Sequence, residues 1–146
     1  MNTPGSLIGR AVAIAAAGHQ DQVDKVGRPY ILHPLRMMMR AETEAEQIVA
    51  VLHDVVEDCP GWTFERLADE GFGPEIIAAL DCVTGRAGES YDAFIERALS
   101  NPIARRVKIL DLEDNMTLTR LPELTESAKA RLDKYHRAHR RLTAQS

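Results

Sequence analysis

Cysteine is scarce in this sequence, and its scarcity excludes two classes of protein. The two cysteines, Cys59 and Cys82, lack the C-x-x-C spacing of redox and zinc motifs, and two thiols cannot form the disulfide framework of a small secreted domain. Long hydrophobic runs are missing as well, because the apolar stretch 11–17 is too short for a membrane span and too weakly hydrophobic for a signal peptide. We therefore expect a cytoplasmic protein with no membrane association.

Positive charge is also in short supply. The chain has 18 basic side chains (Lys and Arg) against 22 acidic ones, a net charge of −4. We expect no nucleic-acid polymer as a partner, because such affinity comes largely from neutralising many phosphates with basic side chains. Four basic residues nevertheless lie near one loop and the helix predicted after it, namely Lys25, Arg28, Arg36 and Arg40. They indicate either a local site for a small phosphorylated ligand or merely solvated faces.

The sequence has no alternating strand pattern of useful length and no internal repeat. Instead, apolar residues recur at helical spacing between breaks that contain glycine or proline. We predict an all-α bundle that forms a single domain over residues 1–146, a length sufficient for a core of its own. The predicted helices span residues 6–20, 34–40, 44–57, 63–70, 74–83, 90–99, 102–118 and 124–142.

The last predicted helix carries an apolar stripe that has two interpretations. Leu132, Tyr135, Ala138 and Leu142 recur on one face at helical spacing. The stripe either closes the core of the bundle or pairs with a second copy in a homodimer. Of the two, we favour core packing.

The clearest chemical motif is His53-Asp54-Val55-Val56-Glu57-Asp58. On a continuous helix, His53 and Glu57 lie four residues apart on one face, and Asp54 and Asp58 repeat that relation, so we predict four polar groups on one helical edge. Two carboxylates at the C-terminal end of a helix meet the negative end of its dipole, which suggests a compensating cation. The alternative is an exposed acidic helix end with one incidental histidine.

A second candidate is Asp111, with Asn115 four residues later on the same predicted helix. The surrounding positions are apolar nearly all round, so the helix is expected to be buried and its aspartate to be paired or bound to a metal. The alternative is an aspartate satisfied by Arg105, by Lys108 or by a helix cap.

A third candidate is His33, which precedes Pro34 at a predicted helix start. Taken alone, it is more typical of a hydrogen-bonded structural residue than of a metal ligand. Together, two histidines and two carboxylates form a mixed nitrogen and oxygen set suited to Mn²⁺, Fe²⁺ or Zn²⁺. The four residues are His33, His53, Asp54 and Asp111.

Three segments, taken in order, resemble a known family. Residues 22–34, 53–58 and 107–115 are similar to the hydrolase domain of the RelA/SpoT alarmone enzymes and their free-standing relatives, the small alarmone hydrolases. The resemblance covers about residues 8–120 and implies a helical HD-domain fold with bound Mn²⁺. It also implies removal of pyrophosphate from the ribose 3′ position of guanosine tetra- or pentaphosphate.

The same resemblance implies a role for each matching residue. His33, His53, Asp54 and Asp111 become the metal ligands. Glu57 and Asp58 match the pair that activates the attacking water. Lys25 and Asn115 match residues that bind the nucleotide substrate.

One departure concerns recognition of the base. Asp24 occupies the position of an arginine that packs against guanine in the family, and an aspartate cannot supply cation–π stacking. An adenine analogue of the alarmone is therefore included, since Asp24 can accept a hydrogen bond from an amino group. Two alternatives stay open: an HD phosphohydrolase of other nucleotides, and a non-catalytic nucleotide-binding regulator.

Overall fold

The computed structural model describes residues 4–144, with side chains from residue 7 onward, and the ends of the predicted 1–146 domain lie outside this range. The described part is all-α, as predicted, and its only strand-like feature is an isolated bridge between Val23 and Pro29. The helices are α1 (Pro4–Gly18), α2 (Leu32–Arg40), α3 (Glu44–Leu52), α4 (Val55–Asp58), α5 (Phe64–Asp69), α6 (Pro74–Val83), α7 (Tyr91–Leu99), α8 (Pro102–Asn115) and α9 (Glu126–Thr143), with a 3₁₀ turn at Leu118–Arg120.

Short polar side chains begin many of these helices. The predicted N-cap at Thr63 is confirmed, because its hydroxyl accepts a hydrogen bond from the backbone N–H of Arg66. Pro74 and Pro102 occupy first-turn positions, where the missing N–H costs no helical hydrogen bond. Side-chain caps of the same type are Thr43, Ser90, Asn101 and Thr125.

The prediction of one continuous helix over 44–57 is wrong. Helix α3 ends at Leu52, and the backbone of Asp54 leaves the helical region with φ −107° and ψ 4° before α4 begins. The N–H of His53 turns back to the carbonyl of Ala50, while the carbonyl of Asp54 accepts the first hydrogen bond of α4. The predicted single helical edge is therefore replaced by a bend that carries the His-Asp pair.

The predicted helix 102–118 is likewise shorter than expected and ends at Asn115. A separate 3₁₀ turn at Leu118–Arg120 follows it, because Thr117 adopts an extended conformation with ψ 99°. The side chain of Arg120 returns toward α8 and donates to the backbone carbonyl of Asp114. This turn brings a cation beside the polar end of α8.

Two central helices organise the core. Residues 48–52 of α3 and residues 107–112 of α8 are buried throughout, and α3 packs against α1, α2, α6 and α8. A second cluster joins α7, α8 and α9 and includes Ala138 and Leu142, with Tyr135 packed against it. Core packing is therefore confirmed for these three residues of the C-terminal stripe, whereas the fourth, Leu132, lines a cavity. The polar residues of α8 are thereby carried into the interior.

The remaining expectations from composition concern the thiols and the membrane. Cys59 and Cys82 are both free, and Cys59 is buried. Within the part of the chain that the structure describes, no helix combines the length and the apolar character needed to cross a membrane. The cytoplasmic location stays a prediction.

Candidate metal centre and adjoining cavity

Two histidines and an aspartate meet between α2 and the bend after α3. His33 lies in the first turn of α2, whereas His53 and Asp54 form the bend. One ligand atom from each of the three residues lies within 4.8 Å of the others. The bend therefore places two consecutive side chains at one point, which a straight helix does not do.

The ring of His53 is buried, and one of its nitrogens has no hydrogen-bond partner among the residues that the structure describes. Nδ1 donates to the carbonyl of Ala50 at 2.8 Å, which fixes the ring and leaves Nε2 unprotonated in the neutral form. Nε2 lies 3.1 Å from Oδ2 of Asp54 and 3.9 Å from Oδ1 of Asp111, yet it makes no hydrogen bond. Burial alone lowers the pKa of His53, but the two carboxylates outweigh it and raise the pKa.

The ring of His33 lies between two carboxylates. Nε2 is 3.0 Å from Oδ1 of Asp111, and Nδ1 is 2.6 Å from Oδ2 of Asp114. Burial lowers the pKa of His33, but hydrogen bonds to Asp111 and Asp114 reverse the effect and raise the pKa to about 9. The ring thus presents one nitrogen to the candidate centre and the other to a supporting carboxylate.

The carboxylate of Asp54 is held in its charged form. The hydroxyl of Tyr30 donates a hydrogen bond to Oδ2 of Asp54. Burial alone raises the pKa of Asp54. The positive charge of the neighbouring His53 outweighs this effect and lowers the pKa of Asp54 to about 2. A partly buried carboxylate that stays ionised is a suitable oxygen ligand for a divalent cation.

Asp111 lies beside this cluster, and both of its carboxylate oxygens accept hydrogen bonds from other side chains. Its Oδ2 accepts from the buried ammonium of Lys108 at 2.9 Å, and its Oδ1 accepts from the amide of Asn115 at 2.9 Å. Burial raises the pKa of Asp111, but Lys108 and the two histidines hold it well below its usual range. Lys108 is thus a real partner of Asp111, whereas Arg105 instead donates to the backbone of Leu142.

The predicted water-activating pair is exposed and lies at the end of α4. Oε1 of Glu57 accepts the backbone N–H of Gly85 at 2.9 Å, so the loop between α6 and α7 holds this side chain. Burial, with the charges of Asp54 and Glu57, raises the pKa of Asp58. Asp58 is therefore electrostatically coupled to the candidate centre, and Glu57 is held by a contact 28 residues away.

A cavity of about 310 Å³ opens next to the centre. Tyr30 and His33 form its inner wall, and the predicted substrate residues Lys25 and Asn115 both line it. Residues of helix α9 form part of the wall as well. Further lining residues include Arg36, Arg120, Arg131, Leu132 and Tyr135. Glu57 and Asp58 are not among the residues that line this cavity, so the predicted water-activating pair lies apart from the predicted substrate residues.

Asp24 also lines the cavity, but it has a structural task that the sequence did not reveal. Its Oδ1 accepts from the backbone N–H groups of Val26 and Arg28 at 3.0 and 2.9 Å. Gly27, within this turn, has φ 84°, a conformation that favours glycine. The aspartate at this position therefore organises the loop that carries Lys25.

The residues brought together fit a divalent metal ion. Two imidazole nitrogens and a charged carboxylate converge, with Asp111 adjacent. One of these nitrogens, Nε2 of His53, is buried and has no hydrogen-bond partner in the part of the chain that the structure describes. Sequence reasoning missed the two neighbours that orient this set, Tyr30 and Asp114. The only signal for Asp114 was its place on a helix predicted to be buried.

Comparison with known proteins finds relatives of this chain by sequence. No protein-family model matches the chain. A probable GTP pyrophosphokinase of Mycobacterium leprae is 35% identical over 140 residues, which cover 86% of this chain and 18% of that protein. A guanosine-3′,5′-bis(diphosphate) 3′-pyrophosphohydrolase of Aquifex aeolicus is 31% identical over 121 residues, which cover 75% of this chain and 17% of that protein. The chain therefore spans less than a fifth of these relatives.

A solved structure has the same fold as this chain. It belongs to a metazoan ortholog of SpoT described as hydrolysing ppGpp, and it superimposes with a TM-score of 0.76 over 97% of this chain and 88% of that chain, at 22% identity. The fold is thus the all-helical HD type of a SpoT-like hydrolase. The resemblance to the RelA/SpoT hydrolase domain is confirmed by the sequence relatives and by this fold.

Proposed function

We propose that this chain is a metal-dependent phosphohydrolase that removes the 3′-pyrophosphate from a (p)ppGpp-like alarmone, with guanine or adenine as the base. The observation that carries the proposal is the convergence of His33, His53 and Asp54 within 4.8 Å, where His33 also lines an adjoining cavity that carries basic residues. Relatives named as pyrophosphohydrolases of guanosine-3′,5′-bis(diphosphate) support the substrate class.

The proposed metal ligands are His33, His53, Asp54 and Asp111, and the proposed ion is Mn²⁺, with Fe²⁺ and Zn²⁺ as alternatives. A bound divalent ion lowers the pKa of a coordinated water and offsets charge on phosphoryl oxygens. The protein's own contribution is to hold its donors in place. Asp111 is kept charged by Lys108, and the ring of His53 is fixed by the carbonyl of Ala50.

Glu57 and Asp58 are the proposed proton acceptors. The Gly85 amide holds one oxygen of Glu57 and leaves the other for a water molecule. The raised pKa of Asp58 brings this carboxyl nearer to the range in which it takes up a proton. Both acceptors lie on α4, the helix that begins immediately after the bend, so the backbone that positions Asp54 also positions that helix.

The proposed substrate residues are Lys25 and Asn115. The cavity they line has a volume within the range of roughly 300 to 1,000 Å³ typical of small-molecule sites. Arg120 and Arg131 also line the cavity and add positive charge, which suits an anionic ligand. Asp24 supports the loop of Lys25, and its second oxygen is the proposed acceptor for an amino group on the base.

The test is a Mn²⁺-supplemented screen of ppGpp, ppApp, nucleoside monophosphates and nucleoside triphosphates, with every product identified. Release of pyrophosphate together with the nucleoside 5′-diphosphate is the expected result. Release of orthophosphate or triphosphate instead points to an HD phosphohydrolase of other nucleotides. Nucleotide binding without any product points to a non-catalytic regulator, and either of these outcomes overturns the proposal. The Asp54→Ala variant is the matched inactive control.

A further inference from the structure

Asp114 is a buried carboxylate that touches a proposed metal ligand from behind. Only 6% of the residue is exposed. Its Oδ2 lies 2.6 Å from Nδ1 of His33, the nitrogen that faces away from the candidate centre. The contact joins residues that are 81 positions apart, so it exists only in the folded chain.

Two arginines hold this carboxylate in place. Nε and Nη2 of Arg36 donate to the two oxygens of Asp114 at 2.8 and 2.9 Å, a bidentate arrangement that fixes the plane of the carboxylate. Nη2 of Arg120 lies 3.4 Å from Oδ2. A carboxylate fixed in this way cannot rotate to release the ring of His33.

The consequence concerns which nitrogen of His33 is free. Both ring nitrogens of His33 face a carboxylate, Nδ1 that of Asp114 at 2.6 Å and Nε2 that of Asp111 at 3.0 Å. Asp114 only accepts hydrogen bonds and therefore holds a proton on Nδ1, whereas a divalent ion bound beside Asp111 would take the place of the proton on Nε2 and use that nitrogen as an electron-pair donor. Supporting carboxylates of this kind orient metal-binding histidines and increase their basicity.

We propose that Asp114, clamped by Arg36, is a positioning residue that sets the tautomer and the orientation of His33 for metal binding. This inference rests on the metal site of the proposed function. Because Arg36 also lines the cavity, the clamp makes the cavity wall and the metal site parts of one hydrogen-bonded network. Arg36 is one of the basic residues that the sequence groups at a possible phosphate site. The structure thus assigns it to the support of His33, through Asp114.

The test measures the Mn²⁺ dissociation constant by titration calorimetry on folded protein. Loss of an outer partner of a metal ligand typically weakens affinity by about 10- to 100-fold, and Asp114→Ala is expected in that range. Asp114→Asn retains an oxygen that accepts from Nδ1, so it is expected to restore part of the affinity. The matched control is Glu113→Gln, which removes a neighbouring carboxylate that pairs with Arg40 and His139, and its affinity is expected to stay unchanged.

A second readout separates positioning from mere structural support. With Zn²⁺ as a diamagnetic probe, long-range ¹H–¹⁵N spectra report which ring nitrogen of His33 carries the proton, and Nδ1 is expected. If Asp114→Ala does not fold, Asp114→Asn and the partly exposed Arg36→Gln decide the question, because both are expected to bind Mn²⁺ more weakly than the parent.

Parental affinity in the folded Asp114 and Arg36 variants, while the parent binds Mn²⁺, overturns the inference alone. A parent that binds no Mn²⁺ overturns the metal site and the inference together. Absence of pyrophosphate release by a protein that does bind Mn²⁺ overturns only the proposed reaction.

Discussion

The hydroxyl of Tyr30 donates a hydrogen bond to Oδ2 of Asp54, the same oxygen that lies 3.1 Å from Nε2 of His53. The ring of Tyr30 packs between His19 and His33, with centroid distances of 4.9 and 5.7 Å. Burial raises the pKa of Tyr30, and the charge of Asp54 raises it further, so the phenol stays neutral and remains a donor. Tyr30 therefore fixes the carboxylate of Asp54 much as Asp114 fixes the ring of His33.

Tyr30→Phe removes this hydrogen bond and keeps the ring packing. We expect Mn²⁺ affinity to fall by about 10-fold, the lower end of the range for loss of an outer partner, because Asp54 is then free to rotate. The matched control is Tyr91→Phe, since the hydroxyl of Tyr91 is buried without a hydrogen-bond partner in the described part of the chain. Equal Mn²⁺ affinities for both variants, measured by calorimetry, contradict the role given to Tyr30.

Asp54→Ala and Asp111→Ala are expected to abolish metal retention, because each removes a charged oxygen donor from the centre. Metal content after dialysis is the measurement, and the exposed Asp92→Ala on α7 is the control. Asp111→Ala carries an additional cost, since it leaves the buried Lys108 unpaired, and breaking a buried ion pair costs on the order of 3–5 kcal/mol of stability. Parental metal content in either variant rules out that residue as a ligand.

The helical architecture was readable from the sequence because it depends on local signals. The spacing of apolar residues predicted α3, α6 and α8. Thr63 marked a helix start because its hydroxyl caps the first turn, and Pro74 marked another because a first-turn residue needs no N–H donor. The bend at His53 and Asp54 was not readable. Val51, Leu52 and Val55 keep helical spacing across it, and the break involves side-chain contacts with Tyr30 and Ala50 rather than a breaking residue.

The candidate site likewise has residues that the sequence predicted and residues that only the folded structure reveals. The resemblance pointed to the four proposed ligands, and the structure brings His33, His53 and Asp54 together. Tyr30, Arg36 and Asp114 act through contacts between residues 24 to 81 positions apart, and no local pattern encodes such distances. Periodicity predicted that α8 is buried, but only the packing of α2 against α8 shows which of its carboxylates supports a histidine.

Glu57→Gln tests the proposed proton acceptor. The amide oxygen of glutamine still accepts the N–H of Gly85, so the loop contact is retained while the proton-accepting carboxylate is lost. We expect Mn²⁺ to remain bound and turnover of the alarmone to fall by about 10²- to 10⁴-fold, the usual contribution of general-base catalysis. Single-turnover rates on metal-loaded protein give the measurement, with the exposed Glu75→Gln as the control. Full activity of Glu57→Gln excludes this role.

The loop that carries Gly85 is anchored by one arginine. The guanidinium of Arg97 makes two hydrogen bonds to the carboxylate of Glu89, at 2.6 and 2.8 Å. It also donates to the backbone carbonyls of Asp81 and Thr84 at 2.5 and 2.6 Å, so it joins the end of α6, the loop and α7. The hydrogen bonds from Arg97 lower the pKa of Glu89.

This shift predicts how stability depends on pH. Because the pKa of Glu89 is lower in the folded protein than in the unfolded chain, its contribution is fully present above the unfolded value and is lost as the pH falls through the folded value. The melting temperature of the parent should therefore exceed that of Glu89→Gln at pH 7, and the difference should shrink toward pH 3. Thermal unfolding followed by circular dichroism, with Glu75→Gln in parallel, measures it. A difference between parent and Glu89→Gln that is constant from pH 7 to pH 3 would show that the Arg97 anchor does not depend on the charge of Glu89.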